Sequence, residues 1–131
     1  MSHITSQITA VRTEKAAKPL GHYEQAIVYN GIVYVSGQLP IIPEQPNHVI
    51  EGIENQTKQV LENLRAVLEA SGSNMTKVLK VTIFIADISL WAAANQVYSA
   101  YFGAHRPARS AVPIKALPKN YLIEIEAIAA Q

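Results

Sequence analysis

The spacing of hydrophobic and polar positions changes several times along the 131-residue chain, and each change marks a predicted element. Residues 26–29 and 32–36 are rich in β-branched and aromatic side chains and flank Asn30-Gly31. Because Asn-Gly tolerates the positive φ values of a two-residue type I′ turn, we predict an antiparallel hairpin here. A looser alternation over residues 4–11 predicts a short first strand.

Two other segments have apolar residues at helical spacing. Between residues 53 and 68 they recur every three or four positions, and Gly72 suits a left-handed C-terminal cap. A second stripe, over residues 90–102, follows Ser89, the predicted N-cap, and ends at Gly103. The aromatic residues of this second helix form a core stripe by default, although one of its tyrosines, Tyr98 or Tyr101, could reach a site.

The remaining apolar runs have the composition of strands and cover residues 78–87, 108–114 and 122–129. Residues 15–23 are predicted to be a loop, and residues 39–50, which contain three prolines, an exposed connection. The order β-β-β-α-β-α-β-β predicts a single α+β domain over residues 1–131. Its architecture is one mixed sheet with two helices packed on one face.

Composition narrows the functional classes. Only 16% of the residues are charged and 49% are hydrophobic, which favours a small domain that buries part of its surface in another copy of itself. A net charge of +1 without a basic run argues against nucleic-acid binding. No cysteine is present, which excludes thiol catalysis, disulfides and thiolate metal sites. The four scattered histidines lack metal-ligand spacing. With no signal peptide and no long apolar run, we expect a cytoplasmic protein.

Three charged residues lie inside the last two predicted strands. Arg109 is in the run 108–114, and Glu124 and Glu126 lie two positions apart in the last strand. A lone buried charge is costly, so a structural ion pair between adjacent strands would account for Arg109 and Glu124. A carboxylate-binding Arg beside an acid–base Glu is the alternative, because a guanidinium matches a carboxylate fork. Periodicity leaves both interpretations open. Two Glu on one strand face lie about 6.6–7 Å apart, so only one of them can serve a given substrate atom.

Six sequence blocks occur together in one order: "PLGHYEQAI", "VYVSGQLP", "VLKVTIFIADI", "ANQVYSAYF", "RPARSAV" and "LPKNYLIEIEAIA". In order and spacing they resemble the RidA family, also called YjgF, the reactive-intermediate imine deaminases. The resemblance covers nearly the whole chain. It implies a chorismate-mutase-like α+β fold and a homotrimer with active sites in the clefts between subunits. The implied reaction hydrolyses enamine or imine intermediates, such as 2-aminoacrylate and its imine, to a 2-oxo acid and ammonia, without metal or organic cofactor.

The same resemblance implies roles for particular residues. Arg109 would grip the substrate carboxylate, and Glu124 would activate the water that attacks the imine carbon. The backbone of Ala111 would contact the nitrogen end of the substrate. The matching pocket-lining positions are Tyr23, Ser36, Gly37 and Asn95.

The chain departs from the family pattern at two places. Many relatives have Cys where Ala111 stands, so thiol-based explanations do not apply here. The chain also has Gly21-His22-Tyr23 where the family typically reads Gly-Pro-Tyr, which loosens the loop that carries Tyr23 and places an imidazole ring beside the expected pocket. Within the last but one strand, Pro113 predicts an edge strand or a bulge.

Two functions from other classes compete with deamination. One is a non-catalytic trimeric regulator that binds small carboxylates through Arg109, with Glu124 merely structural. The other is a ribonuclease or translation inhibitor, against which the absence of a basic stripe argues.

Overall fold

The structure is a computed structural model, and it describes residues 7–131. It contains six strands and two long helices, which confirms the predicted order of elements. The strands are β1 (Thr9–Val11), β2 (Ala26–Tyr29), β3 (Ile32–Gln38), β4 (Val78–Ile85), β5 (Ala108–Pro113) and β6 (Ile123–Ala130), and the helices are α1 (Ile53–Ala70) and α2 (Trp91–Phe102). Of the predicted first strand, residues 4–6 lie outside the described residues.

The strands form one mixed sheet in the order β1-β2-β3-β6-β4-β5. Neighbouring strands pair antiparallel except β4 and β5, which are parallel and are connected through α2. The predicted α+β class is therefore confirmed. β5 lies at the edge of the sheet and pairs only with β4.

The predicted hairpin joins β2 and β3. Asn30 and Gly31 have φ values of 52° and 76°, as a type I′ turn requires. β3 continues beyond the predicted end at Ser36, and its pairing with β6 shifts register between Val35 and Gln38. The shift is a β-bulge, in which β3 has one more residue than β6. The bulge changes the direction of the backbone at Ser36 and Gly37.

Both helices cover one face of the sheet, and the main hydrophobic core lies between them and the sheet. Alternate residues of β6, including Ile123 and Ile125, are fully buried under the helices, whereas Glu124 and Glu126 point to the opposite face. That opposite face, which we call the open sheet face, is not covered by any described element. It carries exposed apolar side chains: Tyr29, Tyr34 and Val112.

The predicted exposed connection over residues 39–50 is wrong at its beginning. Leu39 and Ile41 are buried and form a second, small cluster with Leu117 and Tyr121. The buried Asn63 of α1 donates hydrogen bonds to the carbonyls of Leu39 and Ile41 at 3.0 and 2.8 Å. These bonds satisfy backbone groups that would otherwise have to face water, so the segment can enter the interior.

The predicted N-cap of the second helix is also wrong. The side chain of Asp87 accepts a hydrogen bond from the backbone N–H of Ser89 at 2.8 Å and caps a 3₁₀ turn over Ile88–Leu90. α2 then begins at Trp91 without a side-chain cap. The C-terminal ends of both helices agree with the prediction. Gly103, with φ 62°, ends α2, and Gly72, with φ 80°, lies just beyond α1.

Arg109 is not the buried charge considered from the sequence, because it lies on the exposed strand β5. All six residues of the strand are exposed, because it is the edge strand of the sheet. Pro113 at its end agrees with the predicted edge position. Among the described residues, neither helix has the length and apolar character needed to cross a membrane.

Candidate active site

Arg109 projects from β5 toward α2. Its Nη1 donates a hydrogen bond to Oδ1 of Asn95 at 2.8 Å. Its guanidinium carbon lies 4.7 Å from the ring centroid of Trp91 and 4.8 Å from that of Tyr98. No acidic side chain forms an ion pair with Arg109 within residues 7–131. The guanidinium therefore keeps N–H donors available beside a groove of about 490 Å³ that Asn95, Tyr98 and Arg109 help to line.

Glu124 lies half-buried on the open sheet face, against the bulge of β3. A Cβ atom at Gly37 would lie 2.8 Å from Oε2 of Glu124, so only glycine lets the carboxylate approach this backbone. Burial raises the pKa of Glu124, and the negative charge of Glu126 raises it further. The bulge and the glycine together place a carboxyl group with elevated proton affinity beside the β3 backbone.

Two other predicted pocket residues, Ser36 and Tyr23, belong to the same region as Gly37. Ser36 precedes it and donates from Oγ to the carbonyl of Glu24 at 2.6 Å. Tyr23 precedes Glu24, is 46% exposed, and accepts a hydrogen bond at its hydroxyl from the N–H of Leu20. We call Tyr23, Ser36, Gly37 and Glu124 the glutamate half-site.

The other three predicted residues form a separate group. Ala111 lies two residues after Arg109 on β5 and on the same face, paired with Ile83 of β4. Asn95 contacts Arg109 directly. We call Asn95, Arg109 and Ala111 the arginine half-site.

One chain does not bring the two half-sites together. β4 lies between β5 and β6, so Arg109 and Glu124 are not on adjacent strands. Arg109 pairs with the buried Val81, on the helix side of the sheet, whereas Glu124 pairs with Phe84 on the open sheet face. The proposed structural ion pair between adjacent strands is therefore wrong.

Sequence reasoning missed one residue at the arginine half-site. Trp91 was assigned to the core stripe of α2, yet its ring lies against Arg109. The available signal was the spacing of Trp91, Asn95 and Tyr98, which places all three on one face of a helix. Of the two tyrosines that the sequence offered for a site, Tyr98 contacts Arg109 with its ring, while Tyr101 contacts Arg65 of α1.

No group of three or more potential metal ligands occurs among the described residues. His105, for example, forms a hydrogen bond from its Nε2 to the carbonyl of Val78 at 2.7 Å.

The fold and these half-sites can be compared with known proteins. A family model described as Endoribonuclease L-PSP matches residues 13–131. A RutC family protein of Pyrococcus abyssi is 50% identical over 117 residues, 89% of this chain and 92% of its own length. A rat protein named 2-iminobutanoate/2-iminopropanoate deaminase is 40% identical over 131 residues, 100% of this chain and 94% of its own.

Solved structures agree with the sequence comparisons. The crystal structure of RidA from an Antarctic Psychrobacter species matches with a TM-score of 0.90 and 38% identity, covering 94% of this chain and 99% of that one. The six-stranded sheet with two helices on one face is thus the fold of a known class of proteins. The chain belongs to the endoribonuclease L-PSP family, the RidA/YjgF family.

Proposed function

We propose that this chain is the subunit of a homotrimeric, cofactor-independent deaminase. Its substrates are the enamine and imine forms of small 2-amino acids, such as 2-aminoacrylate and 2-iminopropanoate. Its products are the 2-oxo acid and ammonia. Relatives that carry the name of this activity are about 40% identical over the whole chain, which supports the assignment.

One observation at the site carries the proposal. The Arg109 guanidinium is ordered by α2 but has no carboxylate partner among residues 7–131. A planar guanidinium with free N–H donors fits the carboxylate of a small acid through two parallel hydrogen bonds. The substrate would therefore supply the missing partner.

The positions of the half-sites support the proposed assembly. Because Arg109 and Glu124 lie on opposite faces of the sheet, a second copy is needed to bring a guanidinium to the glutamate half-site. Contacts between two different surfaces of the same chain generate a ring when the rotation between neighbouring copies closes. The exposed apolar side chains of the open sheet face, Tyr34 among them, would be buried in such a ring. The family resemblance supports three copies.

In the proposed reaction, Arg109 fixes the carboxylate and thereby places the imine carbon near Glu124 of the neighbouring subunit. Glu124 takes a proton from water while the water oxygen adds to the imine carbon. Glu124 passes this proton to the nitrogen, which completes the carbinolamine. The hydroxyl proton of the carbinolamine then transfers to its amino group through the same carboxylate, so that the C–N bond breaks, ammonia leaves and the carbonyl forms. The imine also hydrolyses in water, so positioning and proton transfer are sufficient catalysis.

A coupled assay tests the proposal. Serine-fed threonine dehydratase releases 2-aminoacrylate, and lactate dehydrogenase with NADH follows pyruvate. We expect the protein to accelerate pyruvate release and Arg109→Ala to abolish the acceleration, with Arg109→Lys also poor because a point charge cannot hold two oxygens in register. Unchanged pyruvate release with saturable 2-oxo acid binding would instead favour a non-catalytic carboxylate-binding protein.

A further inference from the structure

Three residues of α2 contact the Arg109 guanidinium from a single helical stripe. Trp91, Asn95 and Tyr98 are spaced i, i+4 and i+7, so their side chains project from the same face. The two aromatic residues are about 10.5 Å apart along the helix axis. Both ring centroids are within 5 Å of the guanidinium carbon, so the guanidinium contacts both rings as well as Asn95.

The contacts with α2 restrict a side chain that the edge strand leaves free to move. Arg109 is exposed, and no acidic residue among those described holds its long side chain in place. A free arginine loses considerable conformational entropy when it must adopt one geometry for a ligand. Aromatic rings over a guanidinium attract it through their quadrupoles and restrict its motion before any ligand arrives.

The contacts also decide which part of Arg109 remains accessible. The guanidinium carbon lies over both rings, and Asn95 accepts a hydrogen bond from Nη1, so a ligand must approach Arg109 at its remaining N–H groups. Burial raises the pKa of Tyr98, an effect that the positive charge of Arg109 opposes. Its phenol therefore stays neutral at physiological pH, and no phenolate competes with a bound carboxylate for the charge of Arg109.

We propose that Trp91 and Tyr98 are positioning residues, an aromatic clamp that pre-orders Arg109 for an acceptor at the N–H groups that Asn95 leaves available. The inference rests on the proposed function for the identity of that acceptor, the substrate carboxylate. The alternative is that both rings serve only to fill the core beside α2.

Fluorescence tests the clamp without turnover. Trp91 is the only tryptophan of the chain, so its emission reports directly on the ring that contacts Arg109. We expect Arg109→Met to change the emission spectrum in the absence of ligand. Titration with 2-oxobutanoate, a 2-oxo acid of the proposed product class, should change the emission of the natural protein and leave that of Arg109→Met unaltered.

Binding and kinetics test the positioning role. Trp91→Leu should raise the calorimetric Kd for 2-oxobutanoate and the KM for the imine by about 3- to 30-fold, the range of a cation–π contact. Its kcat should stay within about twofold, because the chemical step does not use the ring. Trp91→Phe should restore most of the affinity, and Trp91→Leu should add little to a variant that already carries Arg109→Met.

A matched control is available on the same helix. The ring of Tyr101 contacts Arg65 at 5.2 Å, away from Arg109. Tyr101→Leu should lower Tm, as Trp91→Leu does, but leave Kd and KM unchanged.

The outcomes separate the inference from the proposed function. If Trp91→Leu lowers Tm yet binds 2-oxobutanoate normally, or if Arg109→Met leaves the emission unchanged, the clamp is refuted. The Arg109→Met comparison still decides the matter should Trp91→Leu fail to fold. If the clamp behaves as expected but no imine is hydrolysed, the proposed function fails and the positioning of Arg109 stands.

Discussion

Glu124 and Glu126 have the same carboxylate two positions apart on one strand, but their surroundings differ. Glu124 is half-buried against the backbone at Gly37, whereas Glu126 is exposed. Burial is the larger cause of the raised pKa of Glu124, and the neighbouring Glu126 adds to it. A carboxylate with a raised pKa is a stronger base while it remains ionised near neutral pH, which favours Glu124 for proton transfer from water.

We expect Glu124→Gln to lower turnover by about 10²–10⁴-fold, the usual range for general acid–base assistance. Glutamine keeps the shape of the side chain but cannot accept the proton. Binding of 2-oxobutanoate should change little, because Arg109 still holds the carboxylate. Glu126→Gln should retain most of the activity. Pyruvate-release rates at matched protein concentration, with oligomer content checked in parallel, measure both variants.

The pH profile serves as the control for this assignment. Activity that needs ionised Glu124 is lost as pH falls through its raised pKa, so the acidic limb should lie above the ordinary pKa of 4.5. Glu126→Gln removes a negative charge and should move that limb to lower pH. A dead Glu126→Gln beside an active Glu124→Gln would reverse the two roles.

Sequence reasoning at the residue scale identified charges in strands but not their surroundings. Arg109 and Glu124 were recognisable because charged residues are unusual in apolar runs and because they match family motifs. Periodicity could not show that they lie on opposite faces of the sheet, since this depends on which strands are neighbours. The contact between Trp91 and Arg109 likewise depends on how α2 packs against β5.

At the scale of elements, local patterns predicted most helices and strands, and long-range contacts decided the exceptions. Prolines made residues 39–50 look like an exposed connection, yet Asn63 of α1 draws Leu39 and Ile41 into the interior. Asp87 and Ser89 both have side chains suited to capping a helix. Only the structure shows that Asp87 is the residue that caps the turn before α2. A polar residue in a buried helical stripe, such as Asn63, is the signal that indicates a backbone partner elsewhere.

Removal of the Asn63 side chain should therefore be costly. Asn63→Ala leaves the carbonyls of Leu39 and Ile41 without their donor in a buried position, and we expect a loss of about 2–4 kcal/mol in the free energy of unfolding. Urea unfolding measures the loss. Asn55→Ala is the control on the same helix, because the exposed Asn55 bonds only weakly, at 3.3 Å, to the carbonyl of Glu51. Equal effects of the two variants would show that the connection is not held by Asn63.

At the scale of the whole molecule, the proposed function makes a single subunit chemically incomplete, because its two half-sites are separated. The low charged fraction of the sequence already favoured burial of surface in another copy, and the structure adds an uncovered sheet face beside Glu124. The order of the strands, with β6 between β3 and β4, was not predictable from alternation, which assigns faces but not neighbours. That order is what separates Arg109 from Glu124.

Mixed trimers test this separation directly. If each site combines Arg109 of one subunit with Glu124 of the next, trimers containing both Arg109→Ala and Glu124→Gln subunits regain one intact site of three. Random mixing of equal amounts gives about three quarters mixed trimers, and each of these has one intact site of three. About a quarter of the natural activity should therefore return. We expect this recovery after the two inactive variants are co-expressed or refolded together, and none when they are combined without subunit exchange. A site contained in one chain would remain dead in every mixture, because each subunit lacks one of the two groups. Sedimentation of the mixture at about three times the 14.3 kDa chain mass would confirm the number of copies on which this fraction depends.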